Sequence, residues 1–246
     1  MKTIPALDPN AAVSDLFDQN SLGSALDSIA ESLFFKREIP EAQRTAIATW
    51  IAQRQGLPGS YADMFAPTER DATGIRLFTG EVARSRVGVA HLLGEEACRV
   101  LSALKVHDAN ARAALDRAVE GRVERLDQTE QRGYPIGTYC CGTCSGGYWR
   151  NLAINLFPRA EERLRLGMIE LKQARRGDGR WHRFPFFYTS LALIEIGPTL
   201  ARTEMQYAAA SWRKILPRLS SSTEPLASRR AAVGQRLLDL CESLPN

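Results

Sequence analysis

Hydrophobic residues recur along this chain at the three- and four-residue spacing that is typical of amphipathic helices. One such stripe begins after Ser21, a residue type that favours the N-cap of a helix. Its apolar members are Leu22, Leu26, Ile29 and Leu33. No segment shows the period-two alternation of β-branched residues that predicts a strand. The pattern therefore predicts an all-α protein of about nine helices.

Proline and glycine residues interrupt this pattern and mark where the predicted helices begin and end. We predict helices at 21–35, 40–55, 80–104, 109–126, 147–157, 159–175, 184–196, 199–216 and 224–243. Between them lie a long connection at 56–79 and a loop at 127–146. We expect an N-terminal helical part, 1–126, and a C-terminal part of helix hairpins, 127–246, which form one compact unit.

One pair of ionisable residues stands out on the predicted helix 80–104. His91 and Glu95 are one turn apart, on the face opposite Val89 and its apolar stripe. A hydrolytic dyad or a metal pair would use such a spacing. Exposed helix faces carry similar pairs routinely, so we interpret this one as a solvent-exposed ion pair.

The composition is that of an ordinary globular protein, with 44% hydrophobic and 24% charged residues among 246. No apolar run is long enough to cross a membrane, and the N-terminus lacks the apolar core of a signal peptide. We therefore expect a cytoplasmic protein with no membrane partner. Five cysteines, an odd number, favour reduced thiols or a metal over a disulfide framework.

The charge is unevenly distributed along the chain. Residues 1–145 carry a net charge of −3, whereas residues 146–246 carry +7. Arginine accounts for 27 of the 32 basic residues, and its guanidinium suits bidentate contacts with phosphate or carboxylate, although genome composition also produces such a bias. No P-loop, dinucleotide-binding or serine-esterase motif is present, so these classes of enzyme lack their usual signatures.

The densest group of unusual residues is YCCGTCSGGYWR at 139–150. Cys141-x2-Cys144 has the spacing of half a zinc site, with Cys140 as a further thiol. A structural zinc site needs four ligands and no second pair exists, so zinc stays open but we assign no metal ligands. A redox or nucleophilic cysteine is the second interpretation, because Gly146 and Gly147 are expected to open a helix whose N-terminus favours thiolates. The third is a tight loop of small, unreactive residues.

A second unusual block, GDGRWHRFPFFYTSLALIEIG, occupies 177–197. Its aromatic residues either line a pocket rimmed by Arg180, His182 and Arg183 or enter the core as the start of a helix. The two predicted helices between the blocks run out and back. We therefore expect the aromatic turn to lie within reach of the thiols.

The run Gly177-x-Gly179-x-Trp181 before an aromatic-rich helix resembles the α/α-toroid repeats of protein prenyltransferase β-subunits and of squalene and terpene cyclases. CCGTCSGG at 140–147 is similar to the Cys-aromatic-Gly turn of lanthionine cyclases, which share that barrel. The resemblance implies a curved stack or partial toroid of antiparallel helix hairpins. The chain lacks the Cys-His-Gly zinc pair and the D-x-D-D cluster of these enzymes, so the resemblance transfers no catalytic residue.

These observations predict a small-ligand-binding protein or an enzyme, with a pocket where the cysteine loop meets the glycine turn. Cys141 and Cys144 are the candidate catalytic residues, and the expected ligand is a small anionic or amphipathic molecule. The candidate ligand-binding residues are Trp149, Arg150, Arg180, Trp181, His182, Arg183 and Tyr188. A nucleic-acid-binding helical repeat and a protein-interaction scaffold are the alternatives.

Overall fold

The structure, a computed structural model, describes residues 18–243, and the protein is all-α, with 66% of the described residues in helices. In the described part of the chain the α-helices are α1 (Leu22–Phe34), α2 (Glu41–Ala52), α3 (Arg86–Leu104), α4 (Ala109–Gln131), α5 (Gly142–Ala153), α6 (Ala160–Gln173), α7 (Phe186–Ile196), α8 (Pro198–Ser220) and α9 (Pro225–Glu242). Two short antiparallel strands, β1 (Ile75–Arg76) and β2 (Val82–Ala83), form a hairpin before α3. The predicted fold class is therefore confirmed.

Helices α1 and α4 begin where their capping residues predict. The Ser21 hydroxyl accepts a hydrogen bond from the Ser24 N–H at 2.9 Å, at the start of α1. The Asp108 carboxylate accepts one from the Ala111 N–H at 2.6 Å, at the start of α4. Each cap satisfies a backbone donor that the helix itself leaves without an acceptor.

The start of the third predicted helix, 80–104, is wrong. Residues 82–83 pair with β1 instead, and the helix begins at Arg86 after an N-cap at Ser85. A two-residue strand is too short to show an alternating pattern, so the sequence carries no periodic signal for it.

The chain divides into two compact units. The first comprises the described residues up to Leu77 together with Val82–Asp127, and the second comprises Phe78–Glu81 together with the described residues from Gln128 onward. In the first unit, α3 packs against α1 and α2. In the second unit, α5 packs against α6 and α7, and α7, α8 and α9 pack against one another.

The first unit buries the pair His91 and Glu95, which corrects the prediction of a solvent-exposed pair. His91 Nε2 lies 3.0 Å from Glu95 Oε1, and Arg122 of α4 donates its Nε–H to the same oxygen at 2.8 Å. Burial alone would raise the pKa of Glu95, but Arg122 and His91 together outweigh it and hold that pKa below its usual value. The positive charge of Arg122 thus compensates the buried negative charge of Glu95, which helix periodicity alone would place in solvent.

None of the helices in the described residues combines the length and the apolar character that a membrane span requires.

Candidate functional site

Helix α5 begins at Gly142, five residues before the predicted start at 147, and this places the cysteines on the helix. Cys141 is the N-cap and Cys144 lies in the first turn. Gly146, one of the two glycines that suggested the later start, packs closely against a neighbouring ring instead, and Gly142 packs closely at the actual start. A Cβ atom on Gly142 would lie 2.0 Å from the Arg183 carbonyl oxygen, and one on Gly146 would lie 2.8 Å from the Tyr188 ring.

Three thiols converge at this helix N-terminus. The Sγ atoms of Cys140, Cys141 and Cys144 all lie within 4.8 Å of one another. Cys140 and Cys141 are exposed, whereas Cys144 is only 4% exposed beneath them. One turn of helix therefore carries an accessible thiol at its start and a protected thiol three residues later.

Ser145 holds the cysteine loop in this shape. Its Oγ accepts a hydrogen bond from the Tyr139 N–H at 2.9 Å, and its hydroxyl donates to the Cys141 carbonyl oxygen at 2.9 Å. The Ser145 N–H also donates to that carbonyl at 2.8 Å, as the first bond of the helix. A single buried hydroxyl therefore ties the residues on both sides of Cys140 to α5.

The cysteine loop and the glycine turn meet, as predicted. The contact of Gly142 with the Arg183 backbone brings the turn directly onto the first residue of α5. Two turns further along, the Trp149 ring stacks on Phe184 with a centroid separation of 5.5 Å. Helix α5 therefore contacts the residues after the glycine turn both at Gly142 and at Trp149.

Two non-glycine residues beside this contact have left-handed backbones. Cys140 has a φ of +50° and Arg183 a φ of +65°. This conformation costs a side-chain-bearing residue on the order of 1–2 kcal/mol, so the surrounding structure must impose it.

No family model, curated protein or solved structure matches this chain.

The aromatic candidates lie in the core. Trp149, Trp181 and Tyr188 are at most 3% exposed. Trp149 donates its indole N–H to the Gly137 carbonyl at 2.7 Å, and Trp181 donates its own to Glu204 at 2.9 Å. These contacts are what buried indoles need, and their role towards a ligand stays a prediction.

The arginine and histidine candidates divide between the interior and the surface. Arg150 is buried and forms a bidentate pair with Glu195, with N···O distances of 2.7 and 3.0 Å. Arg180 is half-buried, with its guanidinium 5.1 Å from the centroid of the Phe186 ring. His182 and Arg183 are exposed. Of the predicted rim, these last two remain available at the surface.

Tight backbone pairing fixes the glycine turn. Gly177 and Gly179 both have positive φ, which reverses the chain, and the Arg176 N–H then donates to the Arg180 carbonyl at 2.9 Å. The His182 N–H donates to the Ala174 carbonyl at 2.7 Å. The turn is therefore a rigid support for the neighbouring residues 182–184.

The remaining two cysteines lie in other environments. Burial, together with the nearby Glu95 carboxylate, raises the pKa of the Cys98 thiol. Burial also raises the pKa of the half-buried Cys241 thiol. Both effects disfavour the reactive thiolate. The reactivity of the three clustered thiols can therefore be compared with that of these two cysteines in the same protein.

The first unit contains a cavity of about 450 Å³ that no sequence pattern predicts. Its walls include Pro58, Pro67 and Val89, and the Tyr61 ring lies beside them. Tyr61 in turn packs on the His91 ring at a centroid distance of 4.7 Å. These residues come from a loop and a helix whose approach no local pattern predicts.

Proposed function

We propose that this protein carries out thiol–disulfide exchange, with Cys141 as the attacking thiol and Cys144 as the resolving thiol. The observation that carries the proposal is the placement of an exposed cysteine at the N-cap of α5 and a buried one in the first turn. An exchange site needs one sulfur that a partner disulfide can reach and a second that only its neighbour can reach.

The position at a helix N-terminus supports thiolate chemistry. Backbone N–H groups in the first turn of a helix lack internal acceptors, and the helix dipole adds a partial positive charge there. Both favour the thiolate, which is the nucleophilic form of cysteine. Cys98, in the middle of α3, and Cys241, near the end of α9, have no such position.

The exchange proceeds in two balanced steps. The Cys141 thiolate attacks one sulfur of a partner disulfide, forms a mixed disulfide and releases the other partner sulfur as a thiolate. The Cys144 thiolate then attacks the Cys141 sulfur, closes the Cys141–Cys144 disulfide and releases the first partner sulfur. The partner disulfide gains two electrons, and the protein dithiol loses two.

The surface beside Cys141 favours a small disulfide that carries carboxylates. Arg183 is exposed, its backbone contacts Gly142, and a guanidinium binds carboxylate oxygens through paired hydrogen bonds. Glutathione disulfide is a practical probe of this class.

Trapping of the mixed disulfide tests the proposal. Cys144→Ser, incubated with glutathione disulfide and digested under acid, is expected to carry glutathione on Cys141, whereas the wild-type protein yields the internal Cys141–Cys144 disulfide. Cys241→Ser is the matched control and should behave like the wild type. Glutathionylation of Cys241 or Cys98 at the same rate as Cys141 would overturn the assignment.

A further inference from the structure

Thiol–disulfide exchange leaves the third thiol of the cluster without a role. Cys140 is exposed, and its left-handed backbone, with φ +50°, sets the direction of its side chain. Its sulfur lies within 4.8 Å of the other two. A dithiol site needs only two sulfurs, so the convergence of a third on the same point indicates an additional ligand.

We propose that the reduced thiols of Cys140, Cys141 and Cys144 bind one Cu(I) ion, and that this bound state is the alternative to the Cys141–Cys144 disulfide. The inference rests on the proposed function in one respect only, since both use the sulfurs of Cys141 and Cys144. Cu(I) binding itself requires the thiols to be reduced and close together, not to exchange with a partner.

The donor set selects the metal. Thiolates are soft ligands that favour Cu(I), Zn(II) and iron–sulfur clusters over hard cations. Structural zinc is almost always held by four ligands, whereas the donor group found among the described residues supplies three, all of them sulfur. Cu(I) has a filled d shell and is satisfied by a trigonal set of three thiolates, so it fits this site best.

The spacing of the sulfurs suits a shared ion. An ion about 2.3 Å from each of three sulfurs in a plane would hold them about 4.0 Å apart, taking the zinc–thiolate bond length as a guide. The observed separations, all within 4.8 Å, require only small side-chain rotations to reach this arrangement. Cys140 and Cys141 are exposed, so the ion has a path to the site.

The two states of the site exclude each other. Closing the Cys141–Cys144 disulfide withdraws two electrons from these sulfurs and leaves Cys140 as the single remaining thiolate. One thiolate does not hold Cu(I) against competing thiols, so the ion is released when the dithiol is oxidised. Conversely, bound Cu(I) occupies the electron pairs that would attack a partner disulfide. Bound Cu(I) therefore protects the thiols from oxidation, and oxidation of the thiols releases Cu(I).

A competition titration tests this inference. The full-length reduced protein, under anaerobic conditions, is titrated with Cu(I) in the presence of bicinchoninate, whose coloured Cu(I) complex reports the metal that the protein leaves unbound. We expect one equivalent of Cu(I) to be withheld from the chelator. Cys140→Ser should weaken this binding by about 100-fold or more, the upper range for loss of a group that merely supports a metal ligand.

The controls separate this inference from the proposed function. Cys241→Ser should bind Cu(I) like the wild type, and circular dichroism should show that Cys140→Ser keeps its helices. Cys140→Ser should still form the Cys141–Cys144 disulfide with glutathione disulfide, because that step does not use Cys140.

Each outcome bears on one proposal. Unchanged Cu(I) affinity in Cys140→Ser, or tighter binding of Zn(II) than of Cu(I) by the wild type, would overturn the copper site while leaving exchange intact. If Cu(I) binds tightly through Cys140 but the protein never forms the Cys141–Cys144 disulfide, the copper site is supported and the exchange function is overturned. X-ray absorption that shows three sulfur neighbours is the expected signature of the loaded protein.

Discussion

Gly142 occupies the first turn of α5 because any side chain there would collide with the backbone of the glycine turn. The carbonyl oxygen of Arg183 lies 2.0 Å from the position of a Cβ atom. A Cβ atom on Gly146 would likewise collide with the Tyr188 ring. Read from sequence alone, glycines indicate flexibility or a helix start. Their role in close packing depends on a partner some 40 residues away, which local patterns do not reveal.

Gly142→Ala should therefore destabilise the protein by about 3 kcal/mol, at the upper end of the range for overpacking, because the atom it meets belongs to a backbone held by the turn. Urea unfolding followed by circular dichroism measures the change. Thr143→Ala, in the same helical turn but half-exposed, is the matched control and should cost less than about 1 kcal/mol. Equal stability of the two variants would show that the contact is not tight.

Ser145→Ala removes the hydroxyl that ties the cysteine loop to α5. The Tyr139 N–H then lies buried without its acceptor, and we expect a loss of about 1–3 kcal/mol in the free energy of unfolding. The thiols should also lose their fixed arrangement, so the ratio of iodoacetamide labelling rates at Cys141 and Cys241 should fall towards one. Ser221→Ala removes an exposed hydroxyl that bonds the Arg218 carbonyl, and should change neither quantity.

For the single elements, apolar periodicity predicted which segments form helices more accurately than it predicted the residues where those helices begin. The stripe behind Ser21 and the carboxylate of Asp108 located the starts of α1 and α4, because capping is a local interaction. The starts of α3 and α5 were missed because a strand pairing and a packed turn, respectively, decide them. Both depend on contacts between segments distant in sequence.

The burial of Glu95 on α3 also depends on a contact with a segment that is distant in sequence. Helix geometry placed this carboxylate opposite the apolar stripe, but in the structure it is buried and accepts a hydrogen bond from Arg122 of α4. Glu95→Gln would remove the negative charge that pairs with the buried Arg122 guanidinium, and we expect a cost of about 3–5 kcal/mol at neutral pH. Urea unfolding of the variant measures this cost, with the exposed Glu120→Gln on α4 as the control.

The pH dependence of that cost follows from the direction of the pKa shift. Because the folded protein holds the pKa of Glu95 below its usual value, the charged carboxylate contributes stability at pH values above the unfolded pKa. This contribution is lost as the pH falls through the lower, folded pKa. The gap between wild type and Glu95→Gln should therefore narrow in acid. A gap that is constant from neutral to acidic pH would show that the ionised carboxylate is not the source of the stability.

At the scale of the whole molecule, the all-α class was predictable because it is the sum of many periodic segments, and errors at individual ends do not change it. The meeting of the cysteine loop with the glycine turn was also predictable, from two intervening helices that run out and back. The burial of Trp149, Trp181 and Tyr188 follows from their large apolar area, which competes with any role at a surface. The partial toroid stays a prediction.

The proposed exchange function depends on two of the five thiols of the native protein. Native protein equilibrated in dithiothreitol buffers of increasing oxidising strength should lose two thiols in a single two-electron transition. Peptide mapping should locate that disulfide at Cys141–Cys144, with Cys98 and Cys241 still reduced. Exchange by these two cysteines is contradicted if all five thiols stay reduced until the protein unfolds, or if the disulfide that forms does not join Cys141 to Cys144.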